Sequence, residues 1–222
     1  MNMAVSNGGP PLEVKVWGEF ACFTRPECKV ERVSYPVMTP SAARGILEAI
    51  FWKPEFSWQV REIWVLKPIR QFSILRNEIN SRQSQRADAA KGGNYFVEDD
   101  RAQRHTLALR DVGYVIKADI ALRSHASDPD AKYRDQFRRR VKRGQCHAQP
   151  VLGCREFPAW FGQPDPSDQP INLSQELGSM LFDLKFRWNE CGLGIGGTPV
   201  FFRARLDGGV LSVPRDKYAE VA

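Results

Sequence analysis

The chain has 222 residues, of which 42% are hydrophobic and 26% are charged, and its formal net charge is +6. This composition is ordinary for a folded soluble protein, and the length suits one core, or one core and a small appendix. No apolar run is long enough to cross a bilayer and the N-terminus lacks the order of a signal peptide, so we expect a cytoplasmic protein without a membrane partner.

The first two elements are predicted to be a strand and a helix. Residues 12–17 alternate between apolar and polar side chains, which is typical of a half-buried strand. Thr39 is a suitable N-cap, and Pro40 fits the first turn of a helix. The apolar residues that follow at helical spacing predict a helix that ends before Pro54.

Two further strands are predicted in the middle of the chain, on either side of a polar segment. Residues 63–66 and residues 114–122 are apolar runs of strand length. Residues 76–104 between them are polar and rich in arginine. An irregular segment of this length is either disordered or a functional lid, and we predict a long basic insertion here.

A strongly basic helix is predicted after the Asp-Pro pair at residues 128–129. Tyr133, Phe137 and Val141 form its apolar stripe, and Gly144 ends it. Its cations are Lys132, Arg134, Arg138, Arg139, Arg140, Lys142 and Arg143. Cations at this density repel one another unless an anion lies against them. A solvated helix face is the plain interpretation, but the aromatic residues that follow favour a surface for a phosphate backbone.

The remaining predicted elements are strands at residues 151–157 and 200–206, with a hairpin turn at residues 207–209. Strand-helix-strand occurs twice, which predicts an α+β protein. We expect a ferredoxin-like (RRM-like) βαββαβ domain at residues 1–160, followed by a small antiparallel β-sheet domain at residues 161–222. The first of these folds is a frequent platform for RNA.

The sequence permits few kinds of catalytic chemistry. The three histidines and five cysteines have no metal-ligand spacing, so we predict no metal and no cofactor. If the chain cuts a substrate, RNA is the natural one, because its 2′-hydroxyl attacks the adjacent phosphate and the protein need only move protons and stabilise charge. His125 and His147 flank the basic helix and are candidates for proton transfer.

Three blocks of the sequence resemble a known family. They are LEVKVWGEFACFTRPE at residues 12–27, SYPVMTPSAARGILEAIFWKP at residues 34–54, and GQCHAQPVLGCREF at residues 144–157. Together they are similar to the subtype I-C ("d") variant of CRISPR-associated family five. The blocks span most of the first three-quarters of the chain in the expected order, and the last, ending in GCREF, is the most specific.

The resemblance implies the two-part fold described above and a role in bacterial antiviral defence. Members of this variant cut the repeat of precursor CRISPR RNA without metal, leaving a 2′,3′-cyclic phosphate and a 5′-hydroxyl. They then retain the 5′ handle of the mature guide RNA as a subunit of the type I-C surveillance complex. The implied partners are therefore that RNA and the other subunits of the complex.

The resemblance also implies a catalytic set, which this chain matches in part. The family has a tyrosine at the end of the first helix and a Lys-His pair at the start of the second. Phe51 occupies the tyrosine position, Lys132 keeps the lysine role, and the histidine is missing. Tyr133, His125 or His147 is then expected to supply the missing proton transfer. The predicted RNA contacts are Arg134, Arg138, Arg139, Arg140, Lys142, Arg143, Arg44 and Arg155.

Two functions remain open from the sequence. The first is an endoribonuclease in which Lys132 stabilises the charged phosphorane. The second is a non-catalytic subunit that binds processed RNA, or duplex DNA, because the family tyrosine and histidine are not matched. We favour the first, since no other processing enzyme is expected in this subtype.

Overall fold

The computed structural model describes residues 4–5, 9–28, 30–80, 96–188 and 194–221. The described part of the chain is mostly β-structure with few helices. Its strands are β1 (Ala4–Val5), β2 (Leu12–Ala21), β3 (Arg32–Val33), β4 (Phe56–Val65), β5 (Gln71–Ile79), β6 (Arg101–Leu122), β7 (Trp160–Gly162), β8 (Gln175–Trp188), β9 (Gly194–Asp207) and β10 (Val210–Ser212). Its α-helices are α1 (Pro40–Ile50), α2 (Asp130–Arg143) and α3 (Tyr218–Val221), and a 3-10 turn covers Val97–Asp100.

The described strands form one sheet in the order β7-β2-β6-β4-β10-β9-β8, with β1, β3 and β5 also paired to β6. Neighbours along this order are antiparallel, and only the short β3 runs parallel to β6 among these pairs. The long β6 lies at the centre, where one half pairs with β2 and β4 and the other half pairs with β5.

Helix α1 forms where the capping pattern predicts it. The Thr39 side chain accepts a hydrogen bond from the backbone of Ala42 at 3.3 Å, and Pro40 begins the helix. Ala43, Ile46, Leu47 and Ile50 are buried against the sheet. Because these apolar residues share one helical face, burial of that face fixes the helix on the core.

Helix α2 also matches its predicted bounds. Tyr133, Phe137 and Val141 are buried, and Trp58 packs on Phe137 with ring centroids 4.8 Å apart. Gly144 ends the helix in the left-handed conformation, with φ 62°, which glycine adopts without the steric cost that a side chain brings. The apolar stripe therefore faces the sheet and leaves Arg138, Arg139, Lys142 and Arg143 exposed.

The predicted strands at residues 12–17, 63–66, 114–122 and 200–206 are confirmed as parts of β2, β4, β6 and β9. The predicted strand at residues 151–157 is wrong. A single bridge joins Val151 to Pro158, and Leu152 donates a backbone hydrogen bond to Phe157 at 2.8 Å, so this segment is a tight loop. The strand of this region is β7, a few residues later.

The predicted insertion at residues 76–104 has ordered ends. Its first and last residues extend β5 and β6, with Arg76 opposite Arg104 and Ile79 opposite Arg101. Residues 81–95 lie outside the described residues. The insertion is therefore carried on a long β5–β6 hairpin, whose first strand was not among the predicted elements.

The C-terminal strands continue the same sheet. The turn at residues 207–209 joins β9 to β10, as predicted, and β10 pairs with β4 through Val210 opposite Trp64. The predicted domain boundary between residues 160 and 161 falls within β7. No helix in the described part of the chain is long and apolar enough to span a membrane.

Candidate functional site

The exposed side of α2 is a positively charged surface, which we call the α2 basic face. Its members are Arg138, Arg139, Lys142 and Arg143, all of which are exposed. Arg138 lies 3.1 Å from the Asp135 carboxylate, an exposed pair of little energetic value. The other three have no ion pair among the described residues. The α2 basic face is therefore available to an anionic partner.

Arg134 and Arg140 belong to the same helix but are used within the fold. The Arg134 side chain is only 6% exposed, donates to the carbonyl oxygen of Pro10 and lies 3.8 Å from Asp130. Arg140 donates to the carbonyl oxygen of Ile50 at 2.8 Å. We therefore withdraw Arg134 from the predicted RNA contacts, because a buried guanidinium with internal partners does not reach a phosphate.

Arg44 is likewise an internal residue. Its guanidinium makes two hydrogen bonds to Asp183 on β8, at 2.6 and 2.9 Å, and one to Glu48 at 2.7 Å. Burial opposes its charged form, but the hydrogen bonds and charge of Asp183 outweigh burial and raise the pKa of Arg44. This bidentate pair ties α1 to the C-terminal strands, so the prediction that Arg44 binds RNA is corrected to a structural role.

Arg155 is exposed on the tight loop at residues 151–158. The loop is pressed against the end of β2: a Cβ at Gly153, where φ is 88°, would lie 2.1 Å from the carbonyl oxygen of Cys22. The next residue, Cys154, is buried and accepts a hydrogen bond from Arg32 at 3.3 Å. The hydrogen bond with Cys22 and the one from Arg32 lower the pKa of the Cys154 thiol.

The end of α1 and the turn between α1 and β4 contact the segments on either side of α2. The carbonyl oxygen of Ala49, in the last turn of α1, accepts hydrogen bonds from the backbone of His147 and Ala148, at 2.8 and 3.1 Å. In the turn itself, the carbonyl oxygen of Pro54 accepts a hydrogen bond from Nε2 of His125 at 3.1 Å. His147 is thus attached to the end of α1 and His125 to the turn that follows it, and both are exposed.

Phe51 and Tyr133 lie beneath this turn, in the core. Phe51 is 1% exposed, and its ring centroid is 5.4 Å from that of Phe56, which is itself 5.4 Å from Tyr133. Desolvation, together with the charges of Glu55 and Asp128, raises the pKa of Tyr133. Phe51 has no hydroxyl and Tyr133 is buried, whereas His125 and His147 are exposed.

Lys132 lies on the exposed first turn of α2. Its Nζ is 2.8 Å from the Asp128 carboxylate, and this hydrogen bond raises the pKa of the lysine. The side chain is therefore charged at neutral pH and accessible to a phosphate. No group of three or more His, Cys, Asp or Glu side chains in the described ranges is arranged to hold a metal ion.

The structure adds one residue that sequence reasoning missed. Trp52 is the second residue of the α1–β4 turn and is 52% exposed, although Ile50 and Phe51 before it are buried. The only signal in the sequence was its position two residues before Pro54, where a helix cannot continue.

A family model and two relatives match most of this chain. The family model Cas_Cas5d, described as CRISPR-associated protein (Cas_Cas5), matches residues 11–213. A Thermus thermophilus protein named CRISPR pre-crRNA endoribonuclease Cas5d is 52% identical over 222 residues, covering 95% of this chain and 94% of its own. A protein of the same name from Mannheimia succiniciproducens is 46% identical over 220 residues, covering 91% and 94%.

The fold is also shared with a solved structure. A crystal structure of a CRISPR-associated protein aligns with a TM-score of 0.65 and 21% identity, covering 96% of this chain and 95% of the other. At this identity the likeness shows the fold alone.

Proposed function

The chain belongs to the Cas5d family of CRISPR-associated proteins, and from this membership we propose that it is an endoribonuclease that cuts the repeat of precursor CRISPR RNA. The observation that carries the proposal is the 52% identity, over nearly the whole chain, with a relative named for that activity. The α2 basic face supports it, because exposed cations suit a phosphate backbone and three of these four have no ion pair among the described residues.

The proposed reaction needs no metal. The 2′-hydroxyl of the RNA loses its proton and attacks the adjacent phosphorus, and the bond from phosphorus to the 5′-oxygen breaks. That oxygen takes a proton, so the products are a 2′,3′-cyclic phosphate and a 5′-hydroxyl. The protein supplies proton transfer and charge stabilisation.

Lys132 is the proposed electrostatic group. It is exposed, and Asp128 raises its pKa, so a positive charge is present when negative charge develops on the phosphorane. Lys132 thus takes the part that the family assigns to the lysine of its second helix.

The proton transfers are assigned to His125 and His147, since Phe51 has no hydroxyl and Tyr133 is buried. The contact between Nε2 of His125 and Pro54 leaves Nδ1 as the acceptor of the neutral ring, which is the form that a base requires.

The fold supports a ferredoxin-like assignment for the first part of the chain. Strands β2, β4, β6 and β7 alternate with α1 and α2 in the order βαββαβ, and they lie in the spatial order β7-β2-β6-β4. We assign the chain through β7 to this ferredoxin-like domain and the residues after Gly162 to a small β domain joined to it through the β4–β10 pair, which moves the predicted boundary past residue 160.

We further propose that the protein retains the 5′ handle of the guide RNA as a subunit of the type I-C surveillance complex. Its substrate is transcribed in the cytoplasm, where we place the protein. Binding of duplex DNA is also compatible with the α2 basic face, but electrostatic binding of this kind is independent of sequence and falls steeply with salt.

The competing function is a non-catalytic RNA-binding subunit, which the phenylalanine at position 51 favours. Incubation of the purified protein with its own repeat hairpin in EDTA separates the two functions. We expect one cut, with a cyclic phosphate on the upstream fragment and a 5′-hydroxyl on the downstream fragment. Tight binding without a cut, alone and in the assembled complex, would establish the competing function.

A further inference from the structure

The α1–β4 turn presents one large aromatic side chain to solvent. Ile50, Phe51 and Trp52 are consecutive apolar residues, and the first two are buried. Trp52 is 52% exposed, and Phe56, where the chain re-enters the sheet, is fully buried. The fold therefore uses the residues around Trp52 for its core and leaves the indole outside it.

The backbone that carries Trp52 is held on both sides. The carbonyl oxygen of Phe51 accepts a hydrogen bond from the indole nitrogen of Trp58 at 2.9 Å, and that of Ile50 accepts one from Arg140 at 2.8 Å. After Trp52 in the chain, the carbonyl oxygen of Pro54 accepts a hydrogen bond from Nε2 of His125. Since the turn is ordered before any ligand binds, little conformational entropy is lost when a ligand contacts Trp52.

The charges near the turn favour an anionic ligand. Arg140 contacts the turn directly, Lys53 is part of it, and Lys132 lies on the adjacent first turn of α2. The carboxylates close by are Glu55, which is half-buried, and Asp128, which is paired with Lys132. An exposed aromatic ring among cations is the combination that binds single-stranded nucleic acid, where bases stack on the ring and phosphates contact the cations.

We infer that Trp52 is a stacking platform for one nucleobase of the repeat RNA, next to the phosphate that is cut. This inference rests on the proposed function. The stacked base holds the strand across the α1–β4 turn, between His125 and His147, and so fixes the phosphate in the line of attack. Trp52 is thus a positioning residue that contacts the substrate.

Trp160 offers a matched control. It is also an exposed tryptophan, at 61%, but it lies on β7, three positions from β4 along the sheet. The test uses repeat RNA that carries a 2′-deoxy nucleotide at the cut site, so that binding is measured without cleavage. A fluorescent base, 2-aminopurine, replaces each nucleotide near the cut in turn, because stacking on an indole quenches its emission.

For the wild type we expect quenching at one position beside the cut. Trp52→Ala is expected to abolish it and to lower affinity for the repeat about ten- to a hundredfold. Trp52→Phe, which keeps an aromatic face, is expected to retain most of the affinity for the repeat. Trp160→Ala is expected to retain both the affinity and the quenching, and the thermal melts should be unchanged in all three variants.

The outcomes separate the inference from the proposed function. If the wild type cuts the repeat but Trp52→Ala keeps full quenching and affinity, Trp52 is not the platform and the function stands. If Trp52→Ala binds RNA normally but fails to join the assembled complex, the indole contacts a protein and the inference is wrong. If the wild type neither binds nor cuts its repeat, the function fails, and the inference fails with it.

Discussion

The guanidinium of Arg140 lies over the ring of Phe51, with Cζ 5.3 Å from the ring centroid. The same side chain donates a hydrogen bond to the carbonyl oxygen of Ile50, so one cation of α2 covers the end of α1. An arginine that the sequence places among RNA contacts therefore joins the two helices and supports the turn on which the candidate site depends.

We expect Arg140→Ala to lower the free energy of unfolding by about 1–2 kcal/mol, because it removes a cation–π contact and leaves the Ile50 carbonyl without its donor. Arg139→Ala is the matched control, since Arg139 is an exposed neighbour with no ion pair among the described residues. Urea denaturation measures the free energy of unfolding of both variants. Equal stability of the two variants would show that Arg140 does not support the turn.

Charge reversal on the α2 basic face is expected to weaken RNA binding without loss of stability. Arg139→Glu combined with Lys142→Glu removes phosphate contacts, so both the affinity and the dependence of affinity on salt should decrease. Arg203→Glu combined with Arg205→Glu, on the exposed face of β9, is the control. Gel-shift titrations at several salt concentrations test this, and identical salt slopes in both double mutants would contradict it.

Lys132→Ala is expected to slow cleavage on the order of a hundredfold or more while repeat binding changes little. The reason is that a cation beside the scissile phosphate mainly stabilises charge that appears in the transition state. Single-turnover rates and affinities are compared with those of Lys185→Ala, an exposed lysine on β8 outside the proposed site. A wild-type rate would remove Lys132 from the mechanism.

Phe51→Tyr is expected to accelerate cleavage, because it adds the hydroxyl that the family resemblance implies at this position. Phe51→Ala is expected to lower the free energy of unfolding by about 3–5 kcal/mol, since the ring is buried against Phe56. Single-turnover cleavage and thermal melts separate the two effects. If tyrosine brings no gain in rate, proton transfer rests with His125 and His147, and alanine at each should then slow cleavage.

The Cys154 thiol predicts a dependence of stability on pH. Its pKa is lowered in the folded state, so the stabilisation is fully present above the ordinary thiol pKa of about 8.5 and is lost as the pH falls through the lowered value. We expect the melting temperature of the wild type to fall relative to that of Cys154→Ser as the pH decreases from about 9. A constant difference between the two proteins would show that no thiolate forms.

Local signals in the sequence were sufficient for much of the fold. Thr39 with Pro40 predicts the start of α1, Gly144 predicts the end of α2, and alternation predicts β2. These signals depend on residues a few positions apart, so they can be recognised without knowledge of the rest of the chain. The loop at residues 151–158 was misjudged because its shape depends on contact with Cys22, far away in sequence.

What the sequence by itself determined is α1, α2, parts of β2, β4, β6 and β9, the density of cations on α2, and the family to which the chain belongs. Only the tertiary structure decided which of the cations predicted to contact RNA are free. Arg44 pairs with Asp183, 139 residues away, and Arg134 reaches back 124 residues to Pro10, whereas Arg139 meets solvent. The same long-range packing buries Phe51 and exposes Trp52, because a residue's exposure depends on which distant elements fold against it.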